Sequence, residues 1–374
     1  MDKHLHIVCH VIPWPADFGG VQDIFNCITA LHGQGVRIHL HCFTKDMSAS
    51  LGPLENYCEE IHLYKRKTGL LQISASIPYI VNSRRSNTLV ARLQKDNYPI
   101  FVQGIHCTHL LESISNESRK IAIRLFNVET RYYKSLAKLE TSFFKESYFK
   151  IEAKLLRKHE SMIAKNYLLL CISDHDREFY SAQFQAMDAR FLPAFTGHLE
   201  STALTGTGNY LLYQANLSVN ENHSIASWMI KNIADKILIP IKIAGKNPDA
   251  RLQKLAKKRV NVEIIANPTD DEMKILIAEA QIHLLPSYNN TGVKLKLLNA
   301  LFTGKHCITN PAGVVGTGLE HLVHLANSDE ESIQLINELQ KTPFTQEDKI
   351  TRSVALAQLY NDDKNAAIIC DLLL

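Results

Sequence analysis

Ala280–Asn310, AQIHLLPSYNNTGVKLKLLNALFTGKHCITN, decides the fold. Ile282 to Leu285 is a short apolar run ended by Pro286, the length and composition of a buried strand rather than a helix. A polar loop, Ser287 to Gly292, follows. From about Val293 to Thr303 the apolar positions Leu295, Leu298, Leu301 and Phe302 fall at helical spacing, and Gly304 stands where a C-cap glycine is expected. His306 to Thr309 is a second strand. In such a strand–helix–strand unit the loop and the helix start lie at the carboxyl end of the first strand, where open α/β sheets bind ligands. Lys296, Asn299 and Thr303 recur at i, i+3 and i+7 and form one polar stripe. A lysine in the first turn opposes the helix dipole unless an anion sits there, which makes Lys296 the first functional clue.

The alternation continues on both sides. Strands over 210–216, 239–244 and 262–266 and helices over 221–234, 250–258 and 270–280 predict a doubly wound parallel sheet. The polar, glycine-rich stretch Thr196 to Gly208 reads as a linker before it. Upstream, a strand over 4–12 leads through Pro13-Trp14-Pro15-Ala16-Asp17-Phe18-Gly19-Gly20 into a helix over 21–34 and a strand over 36–43. A glycine pair at such a turn lets backbone N–H groups approach an anion closely. Between Thr44 and Asp96 short apolar pieces alternate with the basic turns Lys65-Arg66-Lys67 and Arg84-Arg85. Pro99–Gln103 is a strand that runs into His106, and Ile121 opens another that ends in a polar turn at Asn127 and Glu129. Two amphipathic helices over 131–165 carry nine Lys or Arg against four Glu, interleaved with Tyr133, Phe143, Phe144, Tyr148 and Phe149. Such a face either lies on an anionic membrane surface or packs on its own domain. A strand over 168–173, a helix over 176–185, a loop at Gly313–Gly318 and helices over 330–341 and 346–374 complete the chain.

With 374 residues the chain exceeds what one core usually supports, so two domains are expected. A formal charge of +3 does not argue for nucleic acid as a partner. Eight dispersed cysteines without C-x-x-C spacing read as buried free thiols of a reducing cytoplasm. The N-terminus lacks the features of a signal peptide, and no run of 18 apolar residues occurs. The histidines show no H-E-x-x-H spacing, and G-x-S-x-G is missing, so neither a metal site nor a serine hydrolase is expected.

The stretch from Pro286 to Ile308 resembles the donor-site segment of GT-B glycosyltransferases of the retaining, family-four type, including bacterial mannosyltransferase-like enzymes. Their P-S…E-G…E-A…G-x-P-V-V pattern is met by Pro286-Ser287, Thr291-Gly292, Asn299-Ala300 and Gly304-Lys305-His306-Cys307-Ile308. Thr291 and Asn299 replace the two glutamates of that family, with Lys294 and Lys296 between them. The resemblance assigns Lys296 to the nucleotide diphosphate, Asn299 to ribose, and His106 to the donor sugar. It adds Gly19, Gly20, Asn216, Gly245, Lys246, Asn267, Gly292, Val293 and Lys294 as donor-binding positions, and Thr291 as the residue nearest the anomeric carbon. Arg124, Asn127 and Glu129 match an R-x-H-N-x-E segment, with Phe126 where histidine is usual, and become acceptor-side candidates.

The resemblance implies an α/β, GT-B protein with two Rossmann-like, doubly wound parallel-sheet domains facing a central cleft. The expected boundaries are an acceptor domain over 1–195, a linker over 196–208, a donor domain over 209–358 and a C-terminal helix over 359–374 that crosses back. The implied activity is metal- and cofactor-independent transfer of a hexose, with retention, from a UDP or GDP sugar to a glycan or lipid-linked glycan, in the cytoplasm or peripherally on the membrane. Because both glutamates are replaced, a GT-B sugar-nucleotide epimerase and a noncatalytic sugar-nucleotide binder remain open.

Overall fold

A computed structural model describes residues 3–16, 19–114, 117, 119–140 and 142–374. Asp17 and Phe18, in the Pro13–Gly20 turn, and Thr141, in the 131–165 stretch, lie outside the described residues. The chain divides into unit 1, Met1–Gly197 with Asp362–Leu374, and unit 2, His198–Asn361.

Unit 1 runs β1 (Lys3–Cys9), α1 (Gly19–Gly33), β2 (Val36–Thr44), β3 (Glu60–Lys65), α2 (Tyr79–Asn82), α3 (Asn87–Leu93), β4 (Ile100–Gln103), β5 (Ile121–Leu125), α4 (Glu129–Leu139), α5 (Phe143–Asn166), β6 (Leu168–Cys171), α6 (Asp174–Phe184) and β7 (Asp188–Phe191). Its seven strands pair in the order β3-β2-β1-β4-β5-β6-β7, all in parallel. β4 and β5 are buried at every position, which is why these strands read as predominantly apolar runs rather than as alternations. Ser173 caps α6 by accepting from the Asp176 amide.

Unit 2 runs β8 (Leu211–Gln214), α7 (Asn220–Trp228), β9 (Ile241–Gly245), α8 (Ala250–Ala256), β10 (Val262–Ala266), α9 (Asp270–Glu279), β11 (Ile282–Leu284), α10 (Leu295–Thr303), β12 (His306–Thr309), α11 (Pro311–Val314), β13 (His324–Leu325), α12 (Asp329–Leu339) and α13 (Gln346–Leu359). The order β10-β9-β8-β11-β12-β13 is again all parallel. α14 (Asp362–Leu373) belongs to unit 1, where Ala366, Ile369, Cys370 and Leu373 share a core with Ile24 and Ile28 of α1. Asp362 fixes its start by accepting from the Thr196 and Gly197 amides.

The structure corrects four expectations. β7 and β13 were not anticipated, because one is a half-buried edge strand and the other is two residues long. α10 begins at Leu295, with Lys294 at the N-cap position. The helix expected over 221–234 is regular only to Trp228 and then widens into a π-turn, Met229–Ile233. The tail expected as one helix breaks at Tyr360, whose hydroxyl donates to the Thr317 carbonyl.

Candidate functional site

In unit 2 the strand order reverses between β8 and β11, and the helices that follow those two strands are α7 and α10. Such a switch point opens a crevice at the carboxyl ends of the strands. Lys296, the second residue of α10, reaches across it. Its Nζ lies 3.2 Å from Asn222 Oδ1 on α7, 3.5 Å from the Tyr213 hydroxyl on β8 and 5.0 Å from the centre of the Tyr213 ring. Among the described residues Lys296 makes no ion pair. Burial brings its ammonium down to about 8, partly offset by Glu221, so the lysine is still largely charged at neutral pH. Glu221, in the first turn of α7, accepts from the Ser287 hydroxyl at 2.7 Å and from the amides of Tyr288 at 2.7 Å and Asn289 at 3.3 Å. A carboxylate at a helix N-terminus thereby pins the loop after β11.

The other expected residues of unit 2 fall on the loops at this same edge. Asn216 follows β8, and its side chain accepts from the Ser218 amide and hydroxyl. Gly245 ends β9, and a Cβ there would lie 1.7 Å from the Ala215 carbonyl oxygen, so the β8 and β9 loops meet through it. Lys246 follows, its carbonyl accepting from the Leu217 amide. Asn267, at φ +52° after β10, accepts from the Asn247 amide. Gly292 takes φ +63°, and Val293 beside it is half-buried. Lys294 does not share the direction of Lys296, because its Nζ donates to the Thr291 carbonyl. Thr291 is 1 % exposed and donates its hydroxyl to Asn289 Oδ1, which braces the loop. Asn299 is shared with His198, whose ring stacks on Phe302.

In unit 1 the order reverses between β1 and β4. Gly19 and Gly20 open α1 behind β1, and nothing lies within 4 Å of a Cβ added at Gly20. His106 follows β4, its ring stacked 4.7 Å from that of His10 and its buried Nδ1 without a hydrogen-bond partner among the described residues. Burial, with His10, Arg84 and Arg66 around it, holds His106 neutral. Arg124 is wholly buried, bidentate to Asp23 at 2.8 Å and bonded to the Pro193 carbonyl, a structural clamp. Glu129 is buried at the start of α4, with its carboxyl pushed up to about 8 by burial and by Glu160. Asn127 lies beside it, half-buried, and hydrogen bonds to its carboxyl.

The family model described as "Glycosyl transferases group 1" matches residues 208–341, the span that holds every loop of the unit 2 site. Sucrose-phosphate synthase from Thermosynechococcus elongatus superposes with a TM-score of 0.71 at 12% identity, over 99% of this chain and 98% of that one. TarM of S. aureus gives 0.70 at 9% identity over 100% and 99%. The fold is GT-B. A Klebsiella pneumoniae chain called "Uncharacterized 44.6 kDa protein in cps region" is 23% identical over 85% of this GT-B chain and 86% of its own length.

Three residues that meet around Lys296 and the loop after β11 were not singled out from sequence. Tyr213 reads as an ordinary strand aromatic, and Glu221 and Asn222 as an ordinary helix start. Only the strand order brings them to α10. A carboxylate just inside a helix that follows a strand was the one available signal for Glu221. Among the described residues no group of three His, Cys, Asp or Glu is arranged to hold a metal ion, and no helix is long and apolar enough to cross a membrane. All eight cysteines are free, seven of them buried.

Proposed function

We propose that this chain is a glycosyltransferase that moves a hexose from a UDP or GDP sugar to a glycan or lipid-linked glycan, with retention and without a metal or other cofactor. The observation that carries this reading is Lys296, a half-buried ammonium without a carboxylate partner, set at the switch point of unit 2 inside the matched span. Departure of a nucleoside diphosphate develops negative charge on the leaving group, and a fixed cation in a partly desolvated setting stabilises it. Lys246 and the backbone of Gly292 and Val293 are further candidates for contact with that group. A solved structure of the same fold, HepE of Anabaena, holds UDP and glucose, and TarM has been solved with UDP, which supports a nucleotide-sugar donor here. The cps region named for the Klebsiella pneumoniae relative supports a role in polysaccharide assembly.

A second reading follows from Thr291. With that residue sealed in its loop, no carboxylate takes the place of the family's first glutamate, which favours a noncatalytic sugar-nucleotide binder over an epimerase. Incubating the protein with UDP- and GDP-hexoses, with and without glycan acceptors, separates the three. Acceptor-dependent release of nucleoside diphosphate supports the transferase, consumption without acceptor an epimerase, and binding without turnover the binder.

We also propose peripheral contact with an anionic membrane surface through α5. Phe143 and Phe144 are 74% and 84% exposed at its start, among the lysines of that helix. Cosedimentation with phosphatidylglycerol vesicles tests this, and loss of binding in a Phe143→Ala, Phe144→Ala double variant is the expected result.

A further inference from the structure

Buried arginines in this protein close their donors on the protein itself. Arg124 pairs with Asp23, Arg119 with Asp96, and Arg352 donates to the carbonyls of Leu301, Gly304 and Lys305. Arg84 differs. It is 4% exposed, its Nε donates to the His10 carbonyl at 3.0 Å and its Nη1 to the Ile80 carbonyl at 2.8 Å, yet among the described residues it makes no ion pair and Nη2 has no acceptor. A second guanidinium stands beside it. Arg66 Nε and Arg84 Nη1 lie 3.3 and 3.5 Å from the same Ser83 hydroxyl oxygen. Arg66 is half-buried and, among the described residues, also makes no ion pair.

Two adjacent guanidiniums facing one hydroxyl repel each other, and a half-dry setting strengthens that repulsion. The buried carboxyl of Glu129 does not relieve it. Glu129, beside Arg84, is pushed up to about 8 by burial and by Glu160. The Arg84 Nε–His10 bond and the His10–His106 stack place the pair at the carboxyl ends of β1 and β4, the switch point of unit 1, where the buried Nδ1 of His106 also lacks a partner. Two fixed positive charges without carboxylate neutralisation match a dianion, and guanidinium forks match phosphate oxygens.

We propose that this end of unit 1 is a phosphate-binding site formed by Arg66 and Arg84, and that the acceptor substrate carries the phosphate. Naming the acceptor rests on the glycosyltransferase reading; the site itself does not. An acceptor of this class is a phosphorylated glycan or a lipid-linked diphosphate, and the two share the group that the arginines grip.

The full chain, saturated with UDP to occupy unit 2, is titrated calorimetrically with inorganic phosphate and with farnesyl diphosphate. Both are expected to bind. Tighter binding of the farnesyl compound supports a lipid-linked source, and equal affinities support a phosphorylated glycan. Arg84→Gln and Arg66→Gln are each expected to weaken binding about tenfold or more, the loss of one charge-assisted contact, whereas Lys296→Ala leaves it unchanged. Because Arg84 is buried and could be needed for folding, the half-exposed Arg66→Gln, checked by its melting temperature, carries the decision. Wild-type affinity in a folded Arg66→Gln, no binding by the wild type, or loss confined to Lys296→Ala would overturn the site. The readouts separate. Phosphate binding through the arginines without nucleoside diphosphate binding keeps this site and removes the glycosyltransferase reading, and the reverse pattern does the opposite.

Discussion

Lys296 Nζ lies 3.2 Å from Asn222 Oδ1, across the point where the strand order of unit 2 turns back. The two residues come from helices that follow different strands, so their meeting is a product of topology. It leaves an ammonium held by neutral partners only, ready for an anion.

Lys294 and Asn299 should rank below Lys296 in donor binding. Lys294 Nζ is committed to the Thr291 carbonyl and Asn299 to His198, so Lys294→Ala and Asn299→Ala should each cost about 0.5 to 1.5 kcal/mol, against about 1.5 to 3 for Lys296→Ala. Titration of the three variants with one nucleoside diphosphate ranks them. A larger loss in Lys294→Ala would move the phosphate contact to the N-cap.

Arg124→Met should destabilise unit 1 by about 3 to 5 kcal/mol, because it leaves Asp23 buried without its cation. Asp23 also accepts from the Phe195 amide at 2.6 Å, so the double variant Asp23→Asn, Arg124→Met should recover part of the loss. Urea unfolding measures both. A change below about 1 kcal/mol would show that the clamp is not a stability element.

Two glycines should behave oppositely. Gly245→Ala forces a Cβ to 1.7 Å from the Ala215 carbonyl and should cost about 1 to 3 kcal/mol. Gly20→Ala meets nothing within 4 Å in a helical position and should leave stability unchanged or raise it by up to about 1 kcal/mol. If the glycine turn approaches a ligand backbone-first, Gly20→Ala lowers transfer while the protein melts no earlier.

Stability should fall as pH rises from about 6.5 to 8, by at most about 1.4 kcal/mol per pH unit for one group. Glu129 sets this sign. Its carboxyl rises from 4.5 to about 8 on folding, so its contribution is full below 4.5 and is lost as pH climbs through 8. Histidines act at lower pH. Burial takes His6 from 6.5 to about 4, so folding is weakened as pH falls from 6.5 toward 4. Urea unfolding across pH 5 to 9 should show a slope above 6.5 that Glu129→Gln removes. An identical profile in the variant would contradict the assignment.

The order of strands and helices was legible because buried parallel strands are predominantly apolar runs and helices such as α9 carry their capping boxes in sequence. The positions of the site loops were legible for the same reason. What a side chain does at the end of a strand was not. Arg124 and Glu129 fit a pattern at the end of β5, but the partners that bury them, Asp23 and Glu160, stand 101 and 31 residues away. Arg84 sits in the stretch of poorest periodicity, and nothing local shows that Arg66 shares Ser83 with it.

Calorimetric titration of the wild type and of Lys296→Ala with UDP and GDP tests the central claim most directly. The wild type should bind at least one of them, and Lys296→Ala should bind it about tenfold or more weakly, the equivalent of about 1.5 to 3 kcal/mol, with an unchanged melting temperature. No binding of either at millimolar concentration, or wild-type affinity in Lys296→Ala, would contradict a donor site at the α7–α10 switch point.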